Sequence, residues 1–145
     1  MIAVIQRVSR ADVSVANTQI GTIERGIMAL IAIEKQDTDK IAQRLFERIM
    51  NYRIFPDAED RMNLSLQTIQ GGLLLIPQFT LAADTNSGNR PSFTPAASPE
   101  KGEQLFNYLT RYAKSNYSNI ETGQFGADMQ VSLINDGPVT FTLRV

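Results

Sequence analysis

The sequence predicts an α+β fold: a single domain of packed, mostly antiparallel β-sheets arranged like a barrel, with two main helices covering one side. Three observations favour this class. Strand patterns occupy both ends of the chain, two segments between them carry apolar residues at helical spacing, and no linker, repeat or low-complexity segment interrupts the 145 residues. That length is typical of one domain, so we expect a single domain over residues 1–145.

The first part of the chain has the patterns of strands. Residues 2–15 alternate in part between apolar and polar side chains, which predicts one long or bent strand. Gly21 and Gly26 bracket a short segment, TIERG, that we expect to be a second strand. The apolar run IMALIAIE, residues 27–34, predicts a central strand.

The middle of the chain carries the two helix patterns. Ile41, Leu45 and Ile49 repeat at helical spacing and predict a helix over residues 39–52, with Asp37 or Thr38 as its N-cap. The segment FPDAEDRMN then has turn chemistry and is expected to be a loop. A strand is predicted over residues 73–81, followed by a long polar loop. The second helix should start at Ser98-Pro99-Glu100, which supplies an N-cap, a first-turn proline and an acidic residue near the helix N-terminus.

Two strands are predicted at the end of the chain. Residues 128–134 (DMQVSLI) alternate cleanly, and residues 139–145 (VTFTLRV) are β-branched and aromatic. The Asn-Asp-Gly sequence between them is typical of a hairpin turn.

Composition excludes several kinds of chemistry. The chain has no cysteine and no histidine, so disulfides, thiolate nucleophiles, Ser-His-Asp triads and histidine-ligated zinc are ruled out. We expect no metal and no cofactor. The formal net charge of -1 gives no overall attraction to nucleic acid. No apolar run is long enough to span a membrane, the first residues lack a secretory signal pattern, and a cytoplasmic location is expected.

Two short segments are candidates for function. In the first, Gln78-Phe79-Thr80 ends an apolar strand, and alternation alone predicts that Gln78 and Thr80 face solvent while Phe79 packs inward. The second segment, NDGPVT, is by its spacing alone only a turn before a strand.

Together the two segments resemble the D-aminoacyl-tRNA deacylase family, whose signatures are Ser-Gln-Phe-Thr and Asn-x-Gly-Pro-x-Thr. The resemblance covers the whole chain. It begins at MIAVIQRVSRA, continues through NYRIFPDAEDRMNLS and NRPSF, and includes GQFGADMQVSL before the final signature.

The resemblance implies a homodimeric enzyme that hydrolyses the ester between a D-amino acid and the 3′-terminal adenosine of its tRNA. It also implies a further substrate, glycyl-tRNA mischarged on tRNA-Ala. Gly137 and Pro138 would form a cis dipeptide that reaches into the partner's pocket and excludes L side chains. Gln78 and Phe79 would line the opposite wall, with the Phe79 N–H as oxyanion donor. Thr80 would orient the substrate while the ribose 2′-hydroxyl helps activate water; a Thr80 nucleophile is the alternative, although no base in the sequence is available to activate it.

One residue departs from the family signature. Pro77 stands where the family has serine, and proline brings neither a hydroxyl nor an N–H group. Because the proposed chemistry uses the backbone that follows, we expect activity to be retained.

Further candidates carry a structural alternative. Arg7 is expected to support Gln78, or else to be a solvated arginine on an edge strand. Met129 is expected to pack against the adenine, or else to be a core methionine. Gly102 is expected near the adenine. Basic side chains that could meet tRNA phosphates, or simply confer solubility, are Arg53, Lys101 and Arg111.

Two other functions remain open from sequence. The chain could be a non-catalytic module that binds a tRNA end or a nucleotide, or a structural dimer without pocket chemistry. Both predict binding without turnover, whereas the deacylase predicts hydrolysis of D-aminoacyl-tRNA.

Overall fold

The computed structural model describes residues 1–145 and contains eight strands, three α-helices and one 3₁₀ helix. In chain order the elements are β1 (Ile2–Val15), β2 (Thr18–Ile23), β3 (Gly26–Ala32), α1 (Asp39–Asn51), β4 (Arg53–Pro56), β5 (Met62–Ser65), α2 (Leu66–Ile69), β6 (Gly72–Pro77), the 3₁₀ helix (Phe79–Ala82), α3 (Pro99–Asn116), β7 (Ile120–Thr122) and β8 (Met129–Arg144).

The long strand β1 organises the main sheet. Strand β8 runs antiparallel along one edge of β1 from end to end. The other edge pairs with β3 in its first half and with β2 in its second half, both antiparallel. Beyond β3 the order continues through β6 to β7, and these last two pairings are parallel. The predicted α+β fold with a barrel-like, mostly antiparallel sheet is therefore confirmed, with two parallel pairings in a mixed sheet.

Both faces of β6 are buried, which explains its apolar run. Leu73 and Leu75 belong to a core of 24 residues that the sheet shares with α1 and α3. Leu74 and Ile76 point the other way, into a second cluster of seven buried residues. A strand covered on both sides has no need for polar alternation.

The two main helices cover one side of the sheet, as predicted. Helix α1 begins and ends within one residue of the predicted range, and Leu45 and Ile49 are fully buried on its inner face. Helix α3 begins after the predicted N-cap Ser98, whose hydroxyl accepts a hydrogen bond from the Lys101 N–H at 3.3 Å. Truncating a side chain buried in this core, such as Leu109 to alanine, is expected to cost about 2–5 kcal/mol of unfolding free energy.

Several boundaries in the first half of the chain differ from the sequence expectations. The short strand expected over residues 22–26 lies earlier in the chain, as β2 (Thr18–Ile23), and Gly26 is the first residue of β3. The central strand expected to reach residue 34 ends at Ala32. The segment FPDAEDRMN is not wholly a loop, because its ends belong to β4 and β5, which form an antiparallel hairpin.

Asp57 organises the turn of that hairpin. Its carboxylate accepts hydrogen bonds from the Asn63 side chain at 2.6 Å and from the backbone N–H groups of Glu59 and Arg61 at 2.9 and 3.0 Å. These bonds, the Asn63 bond foremost, stabilise the ionised form and hold the pKa of Asp57 below its ordinary value.

The two strands predicted at the end of the chain are one strand, and the predicted hairpin between them is wrong. Strand β8 stays paired with β1 on both sides of the Asn-Asp-Gly segment. Gln6 pairs with Thr140 and Val8 with Asn135, so one residue of β1 lies opposite the four residues 136–139 of β8. The turn sequence thus forms a bulge, which projects from the strand without reversing it.

No helix of the structure is long and apolar enough to cross a membrane.

Candidate active site

A cleft of about 430 Å³ opens where β6 ends, between the start of α3 and the segment that leads into β8. Nine of its 15 lining residues are hydrophobic. The lining residues are Ile31, Ile33, Ile76, Pro77, Gln78, Phe79, Ala97, Ser98, Pro99, Gly102, Phe125, Gly126, Ala127, Met129 and Val131. The cleft therefore gathers five of the residues singled out from sequence, which come from three separate parts of the chain.

None of the lining side chains is titratable. Gln78 and Ser98 are the only lining residues with a polar side chain. No three carboxylate side chains cluster closely enough to hold a metal ion. Any chemistry performed by this chain in the cleft must therefore use hydrogen-bonding groups, main-chain dipoles and shape.

The first candidate segment leaves the sheet at Gln78. The Gln78 N–H donates to the Ile31 carbonyl at 2.7 Å, the last bond between this segment and β3, and the chain then turns into the 3₁₀ helix. The strand predicted to reach residue 81 therefore ends at Pro77. The expected alternation is wrong as well, because the Phe79 side chain is 57% exposed and lies against Phe93, with ring centroids 5.1 Å apart.

The change to a 3₁₀ helix frees two main-chain donors. The N–H groups of Phe79 and Thr80 belong to the first residues of a helix and have no carbonyl within that helix to bind. Neither donates to a protein acceptor. The Gln78 side-chain amide donates to the Thr80 hydroxyl at 2.5 Å, which fixes the two side chains relative to each other.

The opposite wall of the cleft is built from small and soft residues. Gly102, buried on α3, leaves space that Phe125 fills, since a Cβ at residue 102 would lie 3.1 Å from the Phe125 ring. The ring of Phe125 also lies 6.4 Å from that of Phe106. Met129, at the start of β8, is half-buried and lines the cleft. Sequence analysis missed Phe125 as a lining residue, although it stands in the quoted segment GQFGADMQVSL.

The second candidate segment lies in the β8 bulge, outside this cleft. The Gly137–Pro138 peptide bond is cis, as the resemblance implies, and both residues are exposed. A Cβ at Gly137, whose φ is +157°, would lie 2.5 Å from the Val139 nitrogen, so a side chain does not fit there. Glycine is thus required by the local backbone.

Two side chains brace this bulge. The Asn135 side-chain oxygen accepts from the buried Val139 N–H at 2.7 Å, and its amide nitrogen donates to the Gln6 side chain at 3.0 Å and the Thr140 hydroxyl at 3.1 Å. Arg7 donates to the Asp136 carbonyl at 2.8 Å and to the Ile54 carbonyl at 2.7 Å.

Several candidates lie away from the cleft. Arg7 was expected to support Gln78, but within the chain its guanidinium contacts the bulge and β4 instead. The three basic candidates are dispersed: Arg53 binds Asn63 in the β4–β5 hairpin, Lys101 donates to the Lys35 carbonyl, and Arg111 is exposed on α3. They do not form one basic surface.

Comparison with known proteins supports the resemblance over the full chain. The family model described as D-Tyr-tRNA(Tyr) deacylase matches residues 4–144. A D-aminoacyl-tRNA deacylase of Paraburkholderia xenovorans (strain LB400) is 56% identical, covering 99% of this chain and 98% of that protein. A D-aminoacyl-tRNA deacylase of Pseudoalteromonas atlantica is 55% identical, with 100% of both chains covered.

Two solved structures share the fold. One, described as c-Myc DNA Unwinding Element Binding Protein, superposes with a TM-score of 0.95 at 38% identity and covers 100% of this chain and 99% of that chain. The other, a probable eukaryotic D-amino acid tRNA deacylase, has a TM-score of 0.85 at 17% identity and covers 98% and 97%. At that identity the second likeness concerns the fold alone. The match of the family model and the identity to the bacterial proteins show that this chain belongs to the D-Tyr-tRNA(Tyr) deacylase family.

Proposed function

We propose that this chain hydrolyses the ester bond between a D-amino acid and the 3′-terminal adenosine of tRNA, releasing the D-amino acid and free tRNA. The observation that carries the proposal is the free Phe79 N–H beside an apolar cleft that contains no titratable side chain. The names of the bacterial relatives and of the matching family support the same reaction. Glycyl-tRNA mischarged on tRNA-Ala is a further proposed substrate.

The substrate would bind with its two ends on opposite walls of the cleft. The adenine would pack between Gly102, Phe125 and Met129, where the wall is apolar and a flat ring gains contact area. The ester would then lie toward Gln78 and Phe79 at the other end. Pro77 is compatible with this arrangement, because it only lines the cleft, and the proposed hydrogen-bond donors are the N–H groups of Phe79 and Thr80, which follow it in the chain.

Hydrolysis in this site needs only a held carbonyl, a stabilised oxyanion and an aimed water. Water adds to the ester carbonyl, and negative charge develops on the carbonyl oxygen as the tetrahedral intermediate forms. The Phe79 N–H, with that of Thr80 beside it, is a preorganised donor for this oxygen. Collapse of the intermediate breaks the bond to the ribose 3′ oxygen, which takes up the proton that the water gave up.

The substrate itself supplies the base in this proposal. No lining side chain can accept a proton at neutral pH, whereas the ribose 2′-hydroxyl is adjacent to the ester and can relay the proton of the attacking water. The Thr80 hydroxyl already accepts a hydrogen bond from Gln78 and has no base to activate it, which supports an orienting role.

Chiral selection is proposed to come from a second copy of the chain. The Gly137-Pro138 segment is exposed, braced by Arg7 and Asn135, and outside its own cleft, as expected of a rigid element that serves a neighbouring subunit. Its carbonyl groups would face the α-carbon of the amino acid and collide with an L side chain. A D side chain would point elsewhere. Two such contacts related by a two-fold axis imply a homodimer, which we expect to work in the cytoplasm on aminoacyl-tRNA.

The test of the function is turnover of matched substrates. Purified protein is incubated with D-tyrosyl-tRNA and L-tyrosyl-tRNA in parallel, and the remaining ester is measured over time. Hydrolysis of the D ester alone supports the proposal. Binding of tRNA without hydrolysis of either ester contradicts it and favours the non-catalytic binding module.

A separate measurement tests the assembly. Size-exclusion chromatography with light scattering should give about twice the chain mass of 16.1 kDa at micromolar protein concentration. A monomer that still rejects the L ester would contradict the cross-subunit account of selection while leaving the hydrolytic function intact.

A further inference from the structure

The sulfur chemistry of this chain is confined to five methionines, since there is no cysteine. Three of them are protected from solvent: Met1 and Met28 are each 1% exposed and Met50 is 4% exposed. Met62 is 49% exposed on β5 and does not line the cleft. Met129 is half-buried and lines the cleft. Met62 and Met129 are therefore the two methionines that are not buried, and Met129 belongs to the proposed substrate site.

The sulfur of Met129 is held tightly against the wall of the cleft. It accepts a hydrogen bond from the Gln124 N–H at 3.4 Å. A Cβ placed on Gly123 would lie 2.7 Å from this sulfur and 3.0 Å from the Ile76 side chain, so Gly123 leaves just enough room for the thioether. Backbone and side chains thus pack against this sulfur, and Met129 belongs to the lining of the cleft.

We propose that Met129 is an oxidation-sensitive site through which hydroperoxides reversibly inactivate the enzyme. The inference rests on the proposed function, because it places the modification in the cleft that would hold the terminal adenosine. The thioether sulfur attacks one oxygen of the hydroperoxide, the O–O bond breaks, a sulfur–oxygen bond forms, and the peroxide leaves as alcohol or water. Sulfur loses two electrons and the peroxide gains them.

The product changes the cleft in two ways. A sulfoxide is polar, whereas the surrounding wall is built from apolar residues such as Ile31, Ile76 and Val131. Because Gly123 and Ile76 leave no space behind the sulfur, the added oxygen must project into the cleft or displace the Gln124 segment. Either outcome removes apolar contact from the nucleobase, so the loss should appear mainly as weaker substrate binding.

The reaction is reversible by known chemistry. Methionine sulfoxide reductases remove the oxygen as water while a dithiol is oxidised to a disulfide, which restores the thioether. Met129 would give a chain without thiols a redox response at its proposed substrate site.

Hydrogen peroxide is the probe for the test, and Met62 provides a matched control. The wild-type chain and the Met62→Leu and Met129→Leu variants are treated in parallel. Peptide mass spectrometry locates the sulfoxides, and D-tyrosyl-tRNA turnover is measured relative to the untreated sample of the same variant. We expect wild-type and Met62→Leu protein to lose activity about tenfold or more, mainly through KM, and Met129→Leu to keep its own untreated activity. Met62→Leu should match wild type before treatment.

Two further measurements complete the test. Reductases A and B with a dithiol should restore the treated wild-type protein, and the Met129→Gln variant, which carries a polar group in place of the thioether, should show the raised KM without any oxidant. Thermal unfolding of treated protein should keep its midpoint, which separates a local effect from loss of the fold.

Each other outcome overturns the inference. It fails if Met129 stays unoxidised when Met62 is converted, or if sulfoxide forms at Met129 and turnover is unchanged. Absence of turnover in untreated protein would instead contradict the proposed function. In that case tRNA binding is measured in place of turnover. Oxidation must weaken tRNA binding by the wild-type protein and leave binding by Met129→Leu unchanged.

Discussion

Replacing Thr80 with alanine should slow hydrolysis only modestly if main-chain donors and the tRNA hydroxyl carry the reaction. The substitution deletes one hydrogen bond, from the Gln78 amide to the Thr80 hydroxyl. Both side chains are at least partly exposed, so the net contribution of that bond is about 0.5–1.5 kcal/mol. This corresponds to a rate loss of about two- to thirteenfold. Loss of a covalent nucleophile is expected to cost about a millionfold.

The assay is single-turnover hydrolysis of D-tyrosyl-tRNA with excess enzyme, which isolates the chemical step from product release. Thr80→Ser, which keeps the hydroxyl, is the matched control and should remain near wild type. A parallel substrate carries the D-tyrosyl ester on a 3′-terminal 2′-deoxyadenosine. Because that substrate lacks the proposed proton relay, its hydrolysis should fall by about 10²–10⁴-fold.

The ranking of these two losses decides between the mechanisms. A collapse of turnover in folded Thr80→Ala protein, together with normal hydrolysis of the 2′-deoxy substrate, would refute the reasoning and identify Thr80 as the nucleophile. Circular dichroism and the thermal midpoint establish whether the variant is folded.

Three further predictions follow from the geometry. Asn135→Ala leaves the buried Val139 N–H in the β8 bulge without its acceptor. We therefore expect the unfolding free energy, measured by urea titration, to fall by about 1–3 kcal/mol, and the rejection of L-tyrosyl-tRNA to weaken. Unchanged stability and selectivity would contradict the bracing role of Asn135. Gly123→Ala places a Cβ 2.7 Å from the Met129 sulfur and should raise KM for D-aminoacyl-tRNA more than it lowers kcat, which steady-state kinetics can distinguish. The pKa of Asp57 is held low chiefly by the side-chain hydrogen bond from Asn63, so its stabilising contribution is present above the unfolded pKa and is lost as pH falls through the folded one. The thermal midpoints of wild type and Asp57→Asn should therefore differ at about pH 6, and the difference should shrink as the pH falls below the ordinary pKa of 3.8; a constant difference would argue against this linkage.

The two main helices, α1 and α3, were predictable because their signals are local, whereas the short α2 was not predicted. Apolar spacing and capping residues define α1 and the start of α3, and both helices begin where the sequence predicts. The end of β6 was not predictable from the same kind of signal. Residues 78–81 continue the apolar and polar alternation of a strand, yet the ladder with β3 ends at Gln78, and only the tertiary arrangement reveals the 3₁₀ helix.

The β8 bulge was misread for a related reason. Asn-Asp-Gly is turn chemistry, and turn residues alone do not say whether the following strand reverses or continues along the same partner. Here the continuous edge of β1 supplies hydrogen-bonding partners on both sides of the turn. The segment was found as a candidate only through its family signature, and the role of Asn135 in closing it became visible only with its side-chain contacts.

The cleft itself was only partly predictable. Gln78, Phe79, Gly102 and Met129 were named from sequence and do line it. Ile31 of β3 and Val131 of β8 were not named, because a residue that lines a cleft and a residue that fills a core have the same sequence pattern. Arg7 was named from sequence but does not line the cleft. Its actual partner, the Asp136 carbonyl, depends on which residues of β8 lie opposite Arg7 in the pairing of β1 with β8, and the sequence does not show that register.

The free N–H of Phe79 also bears on how such a site tolerates genetic change. Most substitutions of a catalytic residue remove its catalytic side chain. A main-chain N–H is chemically retained in every substitution at its own position except proline, which has no N–H. The residues around this donor can therefore change, Pro77 among them, while the group that we propose to face the ester is kept with the backbone. What such a site requires is that the chain still turns from β6 into the 3₁₀ helix at Gln78.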